Sequence, residues 1–188
     1  MSNFSPSGVA PAKPPMRAAL LAARLAVPGP ERRRRDTAIA AALAPLARGV
    51  VAAFVPLRQE PGDVETFTGV PRLLLPVVRT DNDLDWAVFD GTLAPGRFGL
   101  SEPTGTRLGV EAVLGADLLV VPALAVDARG GRLGRGGGSY DRVLARVAGV
   151  VPALAVVDEA EVVAEVPMEP HDRPVQGYVT PAGVHWIS

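Results

Sequence analysis

The sequence predicts an α/β protein, a single domain whose largely parallel sheet is sandwiched by helices in a Rossmann-like three-layer arrangement. Short aliphatic and β-branched runs recur between turn residues. Those at 118–121 and 153–157 are unbroken, as strands buried on both faces require. Between these two runs, residues 140–147 carry helical periodicity, with Val143, Leu144 and Val147 on one face. A chain of 188 residues with 48% hydrophobic and 21% charged residues is also large enough to bury one sheet between helices.

Taken in order, residues 1–12 are rich in Ser, Pro and Gly and read as a mobile tail, leaving one domain over 13–188. Pro14 and Pro15 suit a first helical turn, and that helix should run to Val27, where Pro28-Gly29-Pro30 stops it. A second helix is predicted over 31–48, with Ile39, Leu43 and Leu46 inward and Pro45 ill placed in its last turn. Residues 50–55 and 72–78 read as buried strands, and 85–89 as a more exposed one. Strands alternating with helices imply parallel pairing with crossovers on both faces. Ligands of such sheets lie beyond the carboxyl ends of the strands.

Composition excludes several classes. A formal charge of −1 opposes non-specific nucleic-acid binding, which needs a basic surface. With no cysteine there is no disulfide, thiolate metal site or cysteine nucleophile, and two histidines cannot build a histidine-rich metal centre. The apolar stretch at 20–27 is short and interrupted by Arg24, so neither a signal peptide nor a membrane span is expected. A cytoplasmic protein without nucleic-acid or membrane partners follows as the expectation. The run Arg32-Arg33-Arg34-Arg35 projects around a whole helix and reads as a solvated face paired with Glu31 and Asp36.

The chemistry concentrates after the strand at 118–121, in Gly130-Gly131-Arg132-Leu133-Gly134-Arg135-Gly136-Gly137-Gly138-Ser139-Tyr140-Asp141-Arg142. Dense glycines let backbone N–H groups turn toward an anion. Arg132 and Arg135 add forked donors for phosphate oxygens, and Asp141 adds a carboxylate suited to a nucleotide's magnesium. The stretch reads as strand, phosphate cradle and helix start, hence a nucleotide site. It contains neither G-x-x-x-x-G-K-[ST] nor G-x-G-x-x-G.

The run from Val120 through VVPALAVDARGGRLGRGGGSYDR to Arg142 resembles the signature of 5-formyltetrahydrofolate cyclo-ligases, also called methenyltetrahydrofolate synthetases. The resemblance implies ATP and Mg2+ as cofactors, a reduced folate as substrate, and a monomer. Lys13 and Arg17 match the family's K-x-x-x-R, which contacts ATP phosphates. On a helix those two positions share a face. Arg132, Leu133, Gly134, Arg135, Gly136, Gly137, Gly138, Ser139 and Tyr140 would complete the ATP site. Arg135 and Tyr140 are implied catalytic residues, and Gly136–Ser139 with Arg135 would also touch substrate.

Val55 and Glu60 match the family's folate contacts, although Asp63 and Glu65 lie close enough to compete with Glu60. Arg97-Phe98-Gly99-Leu100-Ser101-Glu102-Pro103 resembles the family's F-G-[IL]-x-E-P segment. Phe98 is the expected pterin-packing ring and Glu102 a loop anchor, with Trp86 the competing ring and core packing its ordinary role. Asp141 and Asp172, the latter in Pro170-His171-Asp172, match the magnesium carboxylates.

Three departures stand out. The segment from Pro61 to Pro71 is too short for the usual helix, Ser139 replaces an aromatic, and Val175-Gln176 stands where another acidic residue is usual. The resemblance implies cyclisation of 5-formyltetrahydrofolate to 5,10-methenyltetrahydrofolate. A family paralogue that binds nucleotide or folate with lost or altered catalysis, and a sugar-phosphate isomerase or acyl-transfer enzyme on a similar sheet, are the alternatives.

Overall fold

The computed structural model describes residues 12–57, 59–67 and 69–187. The expected mobile tail, Ala12 apart, lies outside them. Along the chain come α1 (Lys13–Ala26), α2 (Gly29–Leu43), β1 (Val50–Ala52), β2 (Arg72–Val78), β3 (Leu84–Val88), β4 (Leu93–Pro95), β5 (Ser101–Pro103), β6 (Leu118–Pro122), β7 (Ala125–Asp127), β8 (Arg132–Leu133), α3 (Ser139–Val147), β9 (Ala153–Val156), β10 (Val162–Val163), β11 (Gly177–Thr180) and β12 (Gly183–Trp186). The main sheet has seven strands in the order β12-β11-β9-β6-β1-β2-β3. Its five inner strands are parallel, and the edge strands β12 and β3 run antiparallel to their neighbours.

Helical segments cover both faces. Ile39 and Leu43 of α2 pack on one face with Val64 and Phe67, and Val143, Leu144 and Val147 of α3 pack on the other with Val113. This is the predicted three-layer α/β fold. Among its described residues the short 61–71 segment carries only the 3-10 turn Val64–Phe67, whose two apolar ends are buried. α2 stops at Leu43, ahead of Pro45 and five residues short of the predicted end. Among the described residues no helix is long and apolar enough to cross a membrane.

α1 has a different task. Its Met16, Leu20 and Leu21 pack on Leu124, Ala125, Leu133 and Val166, around the small sheet β10-β7-β8. Arg24 crosses this contact, 2% exposed, and its Nε and Nη2 donate to the two Glu161 carboxylate oxygens at 2.6 and 2.8 Å.

Two expectations are corrected. The strand at 85–89 is not exposed: Leu84, Trp86 and Ala87 of β3 are buried. A later segment folds over it, with the Leu108 amide donating to the Trp86 carbonyl and Asp85 Oδ1 accepting from the Gly109 amide at 2.7 Å. The arginine run is not uniformly solvated either. Arg35 is buried and bonded to Asp36, because α2 turns that one position toward the 57–62 loop.

Arg146 of α3 reaches the β2–β3 turn, where its Nη2 donates to Asp83 Oδ2 at 2.7 Å. Burial acts to raise the Asp83 pKa, but the Arg146 hydrogen bond, the Leu84 amide and the Arg146 charge outweigh it, leaving the carboxyl below its ordinary 3.8. A carboxyl lowered on folding stabilises above its unfolded pKa and loses that contribution as pH falls through the folded value. Asp83→Asn should therefore cost up to about 1 kcal/mol at neutral pH, and progressively less as pH falls below 3.8 and through the folded value. Urea denaturation across that range checks the convergence.

Candidate active site

Beyond the carboxyl ends of β1 and β6 lies a cavity of about 360 Å³. Three segments wall it: the glycine loop, the stretch after β1 that includes Phe54, Val55, Leu57 and Glu60, and the tip of the β4–β5 hairpin with Phe98. Pro76, Val78 and Leu84 of the β2–β3 pair supply an apolar side, for which no local sequence pattern is a signal.

The glycine loop enters from β8 and leaves into α3. Its entry is braced by Asp127, 1% exposed. Oδ1 of Asp127 accepts from the amides of Arg129 and Gly131 at 2.9 Å each, and Oδ2 accepts from Val166 at 2.8 Å. Gly136 (φ 103°) and Gly138 (φ 72°) occupy the left-handed region, where a Cβ is strained. Gly138 caps α3, and no side chain bonds to the first-turn amides. A helix start of this kind presents N–H groups to an anion.

Two cations flank these amides. Arg132 is buried on the cavity wall; its Nη2 donates to Asp141 Oδ1 at 2.9 Å, its Nη1 to the Pro122 carbonyl at 3.2 Å, and its Nε has no protein partner. Arg135 donates from Nε to Glu60 Oε1 at 2.8 Å, while Glu60 Oε2 accepts from the Leu57 amide at 3.0 Å. The Glu60 carboxylate is thus fixed at both oxygens, and Glu60 is only 7% exposed. Asp63 and Glu65 line a neighbouring groove that Val55, Leu57 and Glu60 also border, so of the three competing carboxylates only Glu60 reaches the cavity at the glycine loop. Desolvation, with the Glu60 charge second, pushes the Tyr140 hydroxyl far above its ordinary value. Tyr140 is therefore a neutral donor at every working pH and no base.

Ser139, Gly134, Gly136, Gly137, Gly138 and Asp141 also line the cavity, as do Val55 and Phe98. Phe98 is 73% exposed at the mouth, with φ 56° and the Arg97 guanidinium 5.3 Å from its ring centre. Trp86 is fully buried in the core and so cannot stack on a ligand. Glu102 accepts from the Val78 amide at 3.0 Å and ties the hairpin to β2.

The Leu133 side chain is buried against α1 rather than facing the cavity, since alternation along β8 turns it away from Arg132, which leaves its backbone alone to meet a ligand. Lys13, Arg17 and Asp172 also lie outside the cavity wall. Arg17 Nε nevertheless donates to the Gly134 carbonyl at 2.8 Å, and its guanidinium sits against Gly136. Lys13 Nζ bonds Asp172 Oδ2 at 2.5 Å and Glu169 at 3.2 Å. Burial works to raise the Asp172 pKa, but Lys13, the Glu169 amide and the neighbouring charges hold it below the carboxylate norm. Among the described residues, Glu169, His171 and Asp172 bring ligand atoms within 4.8 Å of one another, a grouping that omits Asp141.

Known proteins share this architecture. An Aquifex aeolicus 5,10-methenyltetrahydrofolate synthetase superposes with a TM-score of 0.78 at 29% identity, over 93% of this chain and 92% of that one. A Mycoplasma pneumoniae 5,10-methenyltetrahydrofolate synthetase gives 0.72 at 18% identity, over 90% and 98%, and so speaks to the fold alone. A Mycolicibacterium smegmatis 5-formyltetrahydrofolate cyclo-ligase is 39% identical over 181 residues, 90% of this chain and 93% of that protein. The sequence profile of the 5-formyltetrahydrofolate cyclo-ligase family matches residues 9–181, and with these relatives it shows that the chain belongs to that family, an enzyme family of ligases.

Proposed function

We propose that the protein converts 5-formyltetrahydrofolate to 5,10-methenyltetrahydrofolate with ATP, yielding ADP and phosphate. One observation carries this reading: a single cavity joins a glycine-and-arginine loop suited to phosphates with a buried, doubly fixed carboxylate, Glu60, suited to the adjacent N–H donors of a pterin. Val55 and Phe98 would pack on the ring from the loop after β1 and from the hairpin tip.

The formyl group on N5 is an amide, so its oxygen leaves poorly. That oxygen attacks the γ-phosphorus as the bond to ADP breaks. N10 then attacks the activated carbon, its proton departs, and phosphate leaves with the C–O electron pair. Holding N10 beside the carbon makes this second step intramolecular, where alignment supplies several powers of ten.

The chain's own residues then have positioning and charge to provide. Arg132, Arg135, Lys13 and Arg17 offset the charge of the transferring phosphoryl, and Tyr140 donates to one of its oxygens. Amides of residues 134–139 hold the phosphates. Asp141 and Asp172 are hard oxygen donors near these cations, a donor set that suits magnesium; both are now paired, with Arg132 and Lys13. Magnesium, when bound there, supplies further charge neutralisation. A cytoplasmic, monomeric enzyme without nucleic-acid or membrane partners belongs to the same reading.

The decisive assay mixes purified protein, ATP, magnesium and 5-formyltetrahydrofolate and follows the methenyl absorbance. Turnover is expected, and Glu60→Gln should raise the folate KM about tenfold, the worth of a charged hydrogen bond. Folate binding without a methenyl signal would favour the non-catalytic paralogue, for which Ser139 in place of a ring is the specific support.

A further inference from the structure

Glu60 faces the cavity, yet part of what fixes its place comes from the opposite side of the loop. Arg35 and Asp36 are neighbours on α2 and hold the turn Glu60-Pro61-Gly62 from behind. Arg35 Nη2 donates to the Glu60 carbonyl at 3.3 Å, and Asp36 Oδ1 accepts from the Gly62 amide at 3.2 Å. The two are joined to each other, Arg35 Nε donating to Asp36 Oδ1 at 3.0 Å.

Arg35 is 5% exposed, a placement that for a guanidinium is expensive and calls for a use. Its remaining neighbour is Asp158 beyond β9, whose Oδ2 lies 3.7 Å from Nη1, too long for a hydrogen bond. Asp158 itself caps the turn Glu159–Glu161, so it is a fixed charge rather than a mobile one. Arg35 is thereby braced between a rigid carboxylate and a loop.

We propose that Arg35, with Asp36, is the positioning element for the Glu60 carboxylate and so sets affinity for the substrate's ring, with the nucleotide end reached only indirectly, through Arg135. The inference rests on the folate reading of Glu60. It concerns a part of α2 that reaches neither the cavity nor the glycine loop. Arg35 holds the Glu60 carbonyl, and the short turn transmits that hold to a carboxylate already gripped by Leu57 and Arg135. Release of the back of the turn would let the carboxylate wander from the ring edge, at undiminished charge.

Two readouts test this independently. Amide hydrogen exchange on ligand-free Arg35→Met and Asp36→Ala should show protection at Leu57 and Gly62 falling at least tenfold below wild type, with α3 unchanged. Steady-state kinetics should show the KM for 5-formyltetrahydrofolate raised about tenfold in both variants, the loss of one charge-assisted contact, with a clearly smaller rise in the ATP KM, felt only through Arg135. Arg35→Lys, which keeps the charge and one donor, should recover part of the folate KM.

Unchanged protection at Leu57 and Gly62 would overturn the proposal. So would folate and ATP KM values rising by the same factor, the mark of a merely destabilised fold. If the wild-type protein neither binds nor converts the folate while the exchange result holds, the positioning of Glu60 stands and the folate reading is what fails.

Discussion

Arg24→Met should be the most destabilising single substitution described for this chain, at about 3–5 kcal/mol, because it strands the Glu161 carboxylate inside the protein without its partner. In the native state the Arg24 guanidinium meets both Glu161 oxygens and the Ala123 carbonyl, the last at 2.5 Å. Only its Nη1 lacks a partner. Removing one member of such a pair leaves a desolvated charge. Removing both and filling the space with apolar atoms does not, so Arg24→Met with Glu161→Leu should regain most of the loss. Equilibrium denaturation of the two single variants and the double variant gives the coupling directly. A midpoint in thermal unfolding lower by roughly 10 °C is expected for Arg24→Met alone. A double variant no more stable than Arg24→Met would contradict the account.

Lys13→Met should have the largest effect on activity, about 10²–10³-fold in kcat/KM for ATP, the scale on which loss of one preorganised charge at a phosphoryl group is felt. Lys13 now pairs with Asp172 and Glu169, and one helical turn later Arg17 holds the Gly134 carbonyl. The N-terminal turn of α1 is thus docked beside the glycine loop through a hydrogen bond and next to a carboxylate of the expected metal pair. Affinity for 5-formyltetrahydrofolate, measured by calorimetry without nucleotide, should stay within twofold of wild type. A parallel loss of folate affinity would mean that Lys13 acts on the fold and not on the phosphates.

What the sequence made legible is what local pattern determines. The inner strands β2, β6 and β9 are short apolar runs, and the glycine run marks its own backbone requirement, so both were placed within a few residues. The burial of β3 was not legible, because the segment that covers it arrives about twenty residues later and has no pattern of its own. The burial of Arg35 was not legible for the same reason: an arginine in a polar helix looks solvated until its partner is known, and the Glu60 carbonyl lies 25 positions along the chain.

Within the site, the signature brought Arg132, Arg135, Tyr140 and Asp141 to one cavity, while the side-chain direction of Leu133 depends on the register of β8, which the signature does not carry. Asp127 was missed. A carboxylate two and four residues ahead of amides at the mouth of a glycine loop is a turn-forming pattern that a closer reading could have found.

The seat of α1 on the small sheet bears on the order in which the protein can assemble during synthesis. This helix leaves the ribosome early, but its apolar floor is drawn from residues 124–166 and its ionic partners are Glu161 and Asp172. Until that distant portion has been translated, the segment carrying Lys13 and Arg17 has nowhere to dock. A nascent chain stalled before residue 160 would hold several strands of the main sheet and yet leave α1 without most of its floor and both of its ionic partners. The docking of Lys13 and Arg17 beside the glycine loop thus waits on a portion of the chain made long after the helix itself.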